Sequence, residues 1–151
     1  IYEGRVMNWK ALGGADAPVR PLTREPTETG LKLLAEQFPG IGNALSADVG
    51  KMVTHDYEMV QMMDKYPGAI GFTTRNTLAS ARTAVKVLAV DSSTPTPEAL
   101  AAGGYRATVD AAFVYREGQL TPLAQRFVKF VLSGEGRQIV RDMGLVPLER
   151  R

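Results

Sequence analysis

An α/β fold is the class this sequence predicts, and three observations carry it. Short apolar runs alternate with stretches of helical periodicity. Pro-Gly or Gly signals close those stretches at Pro39-Gly40, Pro67-Gly68 and Gly144, and cap-then-proline pairs open others at Thr96-Pro97 and Thr121-Pro122. The 151 residues can bury the core of one domain or form an incomplete two-lobed structure; two full domains would be crowded.

Ile1 to Trp9 reads as the tail of a helix stopped by Gly4, then a turn at Asn8-Trp9 and a loop of small residues through Gly13-Gly14 to Pro18. Val19 to Thr23 alternates apolar and polar as a half-buried strand does, with Pro21 suited to a sheet edge or a strand end. From Glu28 onward Leu31, Leu33, Leu34 and Phe38 recur at helical spacing, with Thr27 or Thr29 as the expected cap. The polar stretch 40–48 reads as a loop and Val49 to Val53 as a short extended piece. Asp56 to Tyr66 predicts a helix carrying Met59, Val60 and Met63 on one face, with Thr54 or Asp56 capping it. Ala69 to Thr73 predicts a short strand, Thr74 to Arg82 a single helical turn, and Val85 to Val90 the clearest buried strand of the chain. Thr96-Pro97 opens a short helix ending at Gly103-Gly104, and Ala111 to Tyr115 predicts another strand. Thr121-Pro122 opens a helix whose apolar face carries Leu123, Phe127, Phe130 and Val131; Ser133 and Gly134 interrupt it before a last helix, Glu135 to Met143.

Composition narrows the function. Lys and Arg number 18 against 16 Asp and Glu, for a net charge of +2, and they are dispersed without a basic stripe or interleaved aromatics, so nucleic-acid binding has no footing. The absence of cysteine excludes a disulfide scaffold, a thiolate zinc site and a Cys nucleophile. No run approaches the length that crosses a bilayer. The chain opens at Ile1 rather than Met, which leaves a processed or trimmed N-terminus open.

The stretch with most chemical content is Val19 to Gly30, a strand delivering a polar loop to a helix start. Free N–H groups and the positive end of the helix dipole suit an anion there, and Arg24 adds a planar fork for oxyanions. Glu25 and Glu28 oppose this, either by repelling an anion or by pairing with Arg24, and a plain structural cap is the alternative. His55, the only histidine, has no second His or any Cys to form a metal site with it, and Met59, Met62 and Met63 suit core packing better than copper. There is no Gly-x-Ser-x-Gly, no Gly-x-Gly-x-x-Gly and no P-loop lysine motif, and Glu25 and Glu28 lack an aromatic sugar platform. No catalytic residue, cofactor or metal is therefore expected, and a non-enzyme is the reading.

Five segments in order resemble the phosphate-binding proteins of ABC transporters: Ile1 to Trp9, the strand ending Thr23-Arg24-Glu25, Tyr66 to Phe72, Val85 to Asp91, and Phe127 to Gly136. The Pro67 to Phe72 run and Val131-Leu132-Ser133-Gly134-Glu135-Gly136 are the most distinctive. The resemblance implies a type-2 periplasmic binding protein-like α/β fold with one complete lobe plus part of the second: residues 1–83 as the ligand-binding lobe with its leading segment, and 84–151 as the returning segment of the other lobe, whose N-terminal part this chain lacks. It further implies a small oxyanion, phosphate first, held by Thr23, Arg24, Thr27, Thr29 and Gly30 and passed to a membrane permease, in the periplasm or at the cell surface. A second chain covering the missing part is an alternative to a longer protein. The loop departs from the family: Thr27, Glu28, Thr29 and Gly30 stand where Gly, Ser, Gly and Thr are expected. Either Glu28 points away, or the ligand is not phosphate, or the site has decayed. A sensory or protein-interaction domain that keeps the fold is the rival function.

Overall fold

The middle strand of the sheet is β1, Arg20–Thr23, and everything else in the first half of the chain is arranged about it. The computed structural model describes residues 1–38, 40–41, 49–116 and 118–148. These fall into two units, Ile1–Leu88 and Ala89–Arg151.

In the first unit β1 lies between β2, Lys51–Met52, and β3, Ala69–Ile70, both parallel to it. Helix α1, Thr29–Gln37, links β1 to β2; α2, Asp56–Lys65, links β2 to β3; and α3, Arg75–Ala81, follows β3. Parallel strands need such crossovers, and their periodicity was the main signal of the α/β class. Pro21 therefore occupies a central strand and not the edge expected for it. The register explains why: Arg20 and Pro21 pair with β3, whereas pairing with β2 begins only at Leu22. The Arg20 N–H points to β3, donating to Gly68 O at 2.9 Å, so the N–H that Pro21 lacks would have faced the side where the ladder has not yet started.

Leu22, Val53 and Met59 form the buried cluster beneath the sheet, with Met62, Met63 and Ala69 packed against it and Val19, Leu31 and Val60 also buried. The methionines are thus core. Helix α2 does not use Thr54 or Asp56 as a side-chain cap; His55 takes the N-cap position without a side-chain bond, and Glu58 reaches back to Thr54 N and Oγ1, both at 3.3 Å. Helix α1 is capped by Glu28 and not by Thr27 or Thr29. The loop expected over 40–48 lies largely outside the described residues, as does Pro39.

The leading segment has no helical tail. Gly4 closes a turn instead, its N–H donating to Ile1 O at 2.8 Å with φ +73. Asn8 then caps a 3-10 helix, Trp9–Leu12, through its side chain to Lys10 N. Two contacts tie this segment to the sheet: Trp9 Nε1 donates to Gly68 O at 3.0 Å, and the Tyr2 hydroxyl donates to Leu22 O at 3.1 Å and lies 3.4 Å from Ile70 O, across β1 and β3.

The second unit holds α4, Pro97–Ala101, α5, Pro122–Leu132, and α6, Gly134–Asp142. Both Thr-Pro signals act as expected: Thr96 Oγ1 accepts from Ala99 N at 3.1 Å and Thr121 Oγ1 from Ala124 N at 3.2 Å. Ser133 ends α5 and starts α6, donating to Phe130 O at 2.7 Å while accepting from Gly136 N at 3.2 Å. The strands expected at Val85 to Val90 and Ala111 to Tyr115 do not form among the described residues. A strand requires a hydrogen-bonded ladder whatever its side chains prefer; among the described residues neither run forms one, and Val90 makes only an isolated bridge to Ser93. Val114 is accordingly 95% exposed, and the apolar face of α5 stays open at Leu123, Phe127 and Phe130, with Phe113 packed edge-on against Phe127 at 5.7 Å.

Two outcomes test this packing. Burial pushes the Tyr2 phenol well above its ordinary value, which favours the neutral form in the fold. The folded value exceeds the unfolded one of about 10, so this stabilisation is complete below that pH and is lost as the pH rises through it. Urea melts of Tyr2→Phe should show about 1 kcal/mol less stability at neutral pH and a shallower alkaline decline than the parent. Gly68 has φ +80, and a Cβ there would lie 2.5 Å from Pro18 O. Gly68→Ala should therefore lower stability by about 2–4 kcal/mol, read in the same melts.

Candidate functional site

The carboxyl edge of a parallel sheet is where its loops run into helix N-termini, and in this protein the chemistry gathers there. Thr23 is the last residue of β1 and Arg24 follows it directly; both are buried. Arg24 donates from Nη1 to Asp56 Oδ1 at 2.7 Å, with its side chain 9% exposed and that of Asp56 42% exposed. Asp56 is the first residue of α2, brought level with Arg24 because Val53 N donates to Thr23 O at 2.9 Å and carries the β2 ladder one step further. A carboxylate at that position also faces the positive end of the α2 dipole. Asp56 was read from the sequence as a cap, and its pairing with Arg24 could not be seen without the register of β1 on β2.

Glu28 answers the question its charge raised. It does not point away: Oε1 accepts from Gly30 N at 2.9 Å and Oε2 from Leu31 N at 2.7 Å. The carboxylate is itself the anion at the N-terminus of α1, held by charge-assisted hydrogen bonds. Gly30 thus has its N–H engaged, while the Thr27 and Thr29 side chains on either side of Glu28 are exposed. Glu25 is exposed and makes no ion pair with Arg24. Of the five residues expected to hold a ligand, the structure buries Thr23 and Arg24 at the strand end and leaves Thr27, Thr29 and Gly30 at the helix start.

Among the described residues, four buried side-chain atoms without hydrogen-bond partners stand at or beyond the ends of two neighbouring strands: Thr23 Oγ1 and Arg24 Nε at the end of β1, Thr73 Oγ1 and Arg75 Nε after β3. Thr73 and Arg75 were not singled out in the sequence. Their signal was available in Phe72-Thr73-Thr74-Arg75, a strand end leading through hydroxyls to an arginine, much as Leu22-Thr23-Arg24 does. No group of three or more His, Asp or Glu among the described residues is placed to hold a metal ion.

Comparison with known proteins places the chain. The phosphate-binding protein PstS of Bacillus subtilis is 27% identical over 151 residues, covering 98% of this chain and 48% of that protein. PstS of Borreliella burgdorferi is 24% identical over 158 residues, covering 99% of this chain and 56% of that one. The chain thus spans about half the length of the curated relatives it matches. A Clostridium perfringens protein described as a phosphate ABC transporter substrate-binding protein, solved with bound phosphate, superposes with a TM-score of 0.78 at 29% identity, over 99% of this chain and 60% of that one. PstS from Borrelia burgdorferi, at a TM-score of 0.67 and 21% identity, shares the fold. The periplasmic-binding-protein-like α/β class expected from the sequence is the one these neighbours have. The pattern of the PBP superfamily domain matches residues 1–135, and the chain belongs to that superfamily.

Proposed function

We propose that this chain forms the oxyanion-capturing part of an ABC-transporter solute-binding protein, with phosphate as the ligand and a membrane permease as the recipient. The observation that carries it is Arg24, a buried guanidinium at the carboxyl end of the central parallel strand, oriented by Asp56 through one nitrogen and left with Nε unpartnered. A binding protein needs no catalytic group, which agrees with a strand edge offering cations and hydroxyls. The names of the relatives support transport over the sensory alternative. Thr23, Thr27, Thr29 and Gly30 line the same turn, with Thr27 and Thr29 able to turn their exposed hydroxyls toward a ligand. Such a protein works in the periplasm or outside the cell. Among the described residues no helix is long and apolar enough to cross a membrane. Ligand shifts the lobes toward a closed form only as far as it binds that form better.

The open apolar surfaces of the second unit belong to this reading. Val114, Leu123 and Phe127 are more than half exposed, and further protein of the kind that fills out the relatives' length would cover them.

Calorimetric titration with inorganic phosphate tests the capture reading. Arg24→Ala should weaken binding about tenfold to a hundredfold, the worth of one charge-assisted hydrogen bond, and unchanged affinity would remove Arg24 from the site. For the surface argument, the 151-residue chain on its own should self-associate in sedimentation; a clean monomer at all concentrations would overturn that part.

A further inference from the structure

We propose that Thr73, in the turn after β3, and Arg75, the first residue of α3, are ligand contacts of this oxyanion site and replace the helix N–H groups that Glu28 occupies. The inference rests on the capture reading and adds residues that neither the sequence motif nor the loop after β1 supplies. Its first support is the register. Arg20 pairs with Ala69 and Pro21 with Ile70, and the same offset carried along the strands sets Thr73 level with Arg24. The second is the clustering of orphaned atoms: Thr23 Oγ1 and Arg24 Nε on one strand end, Thr73 Oγ1 and Arg75 Nε on the next. Thr23 is 2% exposed and Arg24 7% exposed, so neither atom has solvent to turn to. Buried polar atoms are nearly always paired, and hydroxyls and guanidinium nitrogens gathered at one edge share a single missing partner, an oxyanion.

Charge completes the case. The Glu28 carboxylate is met by Gly30 N and Leu31 N, and Asp56 is met by Arg24. Arg75 is half-buried and makes no ion pair among the described residues. A guanidinium in that position is stabilised by an anion that enters from solvent.

The test is phosphate calorimetry on the complete gene product at two salt concentrations, with Arg75→Ala, Arg75→Lys, Thr73→Val and Arg24→Ala. Arg75→Ala should weaken phosphate binding about tenfold or more and reduce the salt dependence of the affinity, Arg75→Lys should recover part of the loss, and Thr73→Val should cost several-fold. A purely structural Arg75 would alter the melting temperature without altering the salt dependence. If Arg75→Ala does not fold, Arg75→Lys and Thr73→Val carry the test. Wild-type affinity in the Arg75 and Thr73 variants, with binding lost in Arg24→Ala, would overturn this proposal and leave the capture reading standing. No binding of phosphate, sulfate or molybdate by the parent protein would overturn both.

Discussion

A guanidinium nine-tenths removed from water has to be neutralised where it sits, and the contact of Arg24 with Asp56 does this. The pair fixes more than two side chains. It joins the end of β1 to the first turn of α2, so the loop between β2 and α2 must keep its length and the β1–β2 register its phase. Asp56 faces the α2 dipole as well as Arg24, which makes one carboxylate serve two positive partners. Because Asp56 engages a single Arg24 nitrogen, the fork is oriented without being saturated. An arginine held this way is pre-set for a second acceptor, and its geometry need not be reorganised when one arrives.

The two units hold themselves together by different means. The first has a sheet, a buried cluster and long-range hydrogen bonds from Tyr2 and Trp9 that bind its leading segment across the strands. The second relies on local devices: the Thr96, Thr121 and Ser133 caps, and a close approach at Gly136, where a Cβ would clash with Phe130 O. Local devices define helices but do not cover them, which is why apolar residues of α5 remain in contact with water.

Much of the architecture was legible in the sequence because its signals are local. Helical periodicity found α1, α2, α5 and α6, and the Thr-Pro pairs located two helix starts to the residue. Arg24 drew notice as an oxyanion fork at a strand end followed by hydroxyls, a pattern that also suits a plain structural cap. What was not legible depends on neighbours far apart in sequence. Pro21 read as an edge residue because its place in the ladder depends on where β2 begins, and Val85 to Val90 read as a buried strand although among the described residues no strand ladder forms on it and Val90 makes only an isolated bridge to Ser93. The pairing of Asp56 with Arg24 is visible only once the ends of β1 and β2 are brought to one side. The cap of α1 was expected at Thr27 or Thr29 and not at Glu28, because glutamate is a weak choice at that position; here its length lets it span two N–H groups, which threonine cannot.

That span has a consequence for how the loop could change over generations. A serine at residue 28 would still cap α1, but with one hydroxyl bond in place of the two charge-assisted hydrogen bonds that Glu28 accepts from Gly30 N and Leu31 N. One N–H at the helix start would then be open to a ligand. A single side chain thus sets both how firmly the first turn of α1 is held and how much of that turn is offered to an anion, so a gain in one is a loss in the other.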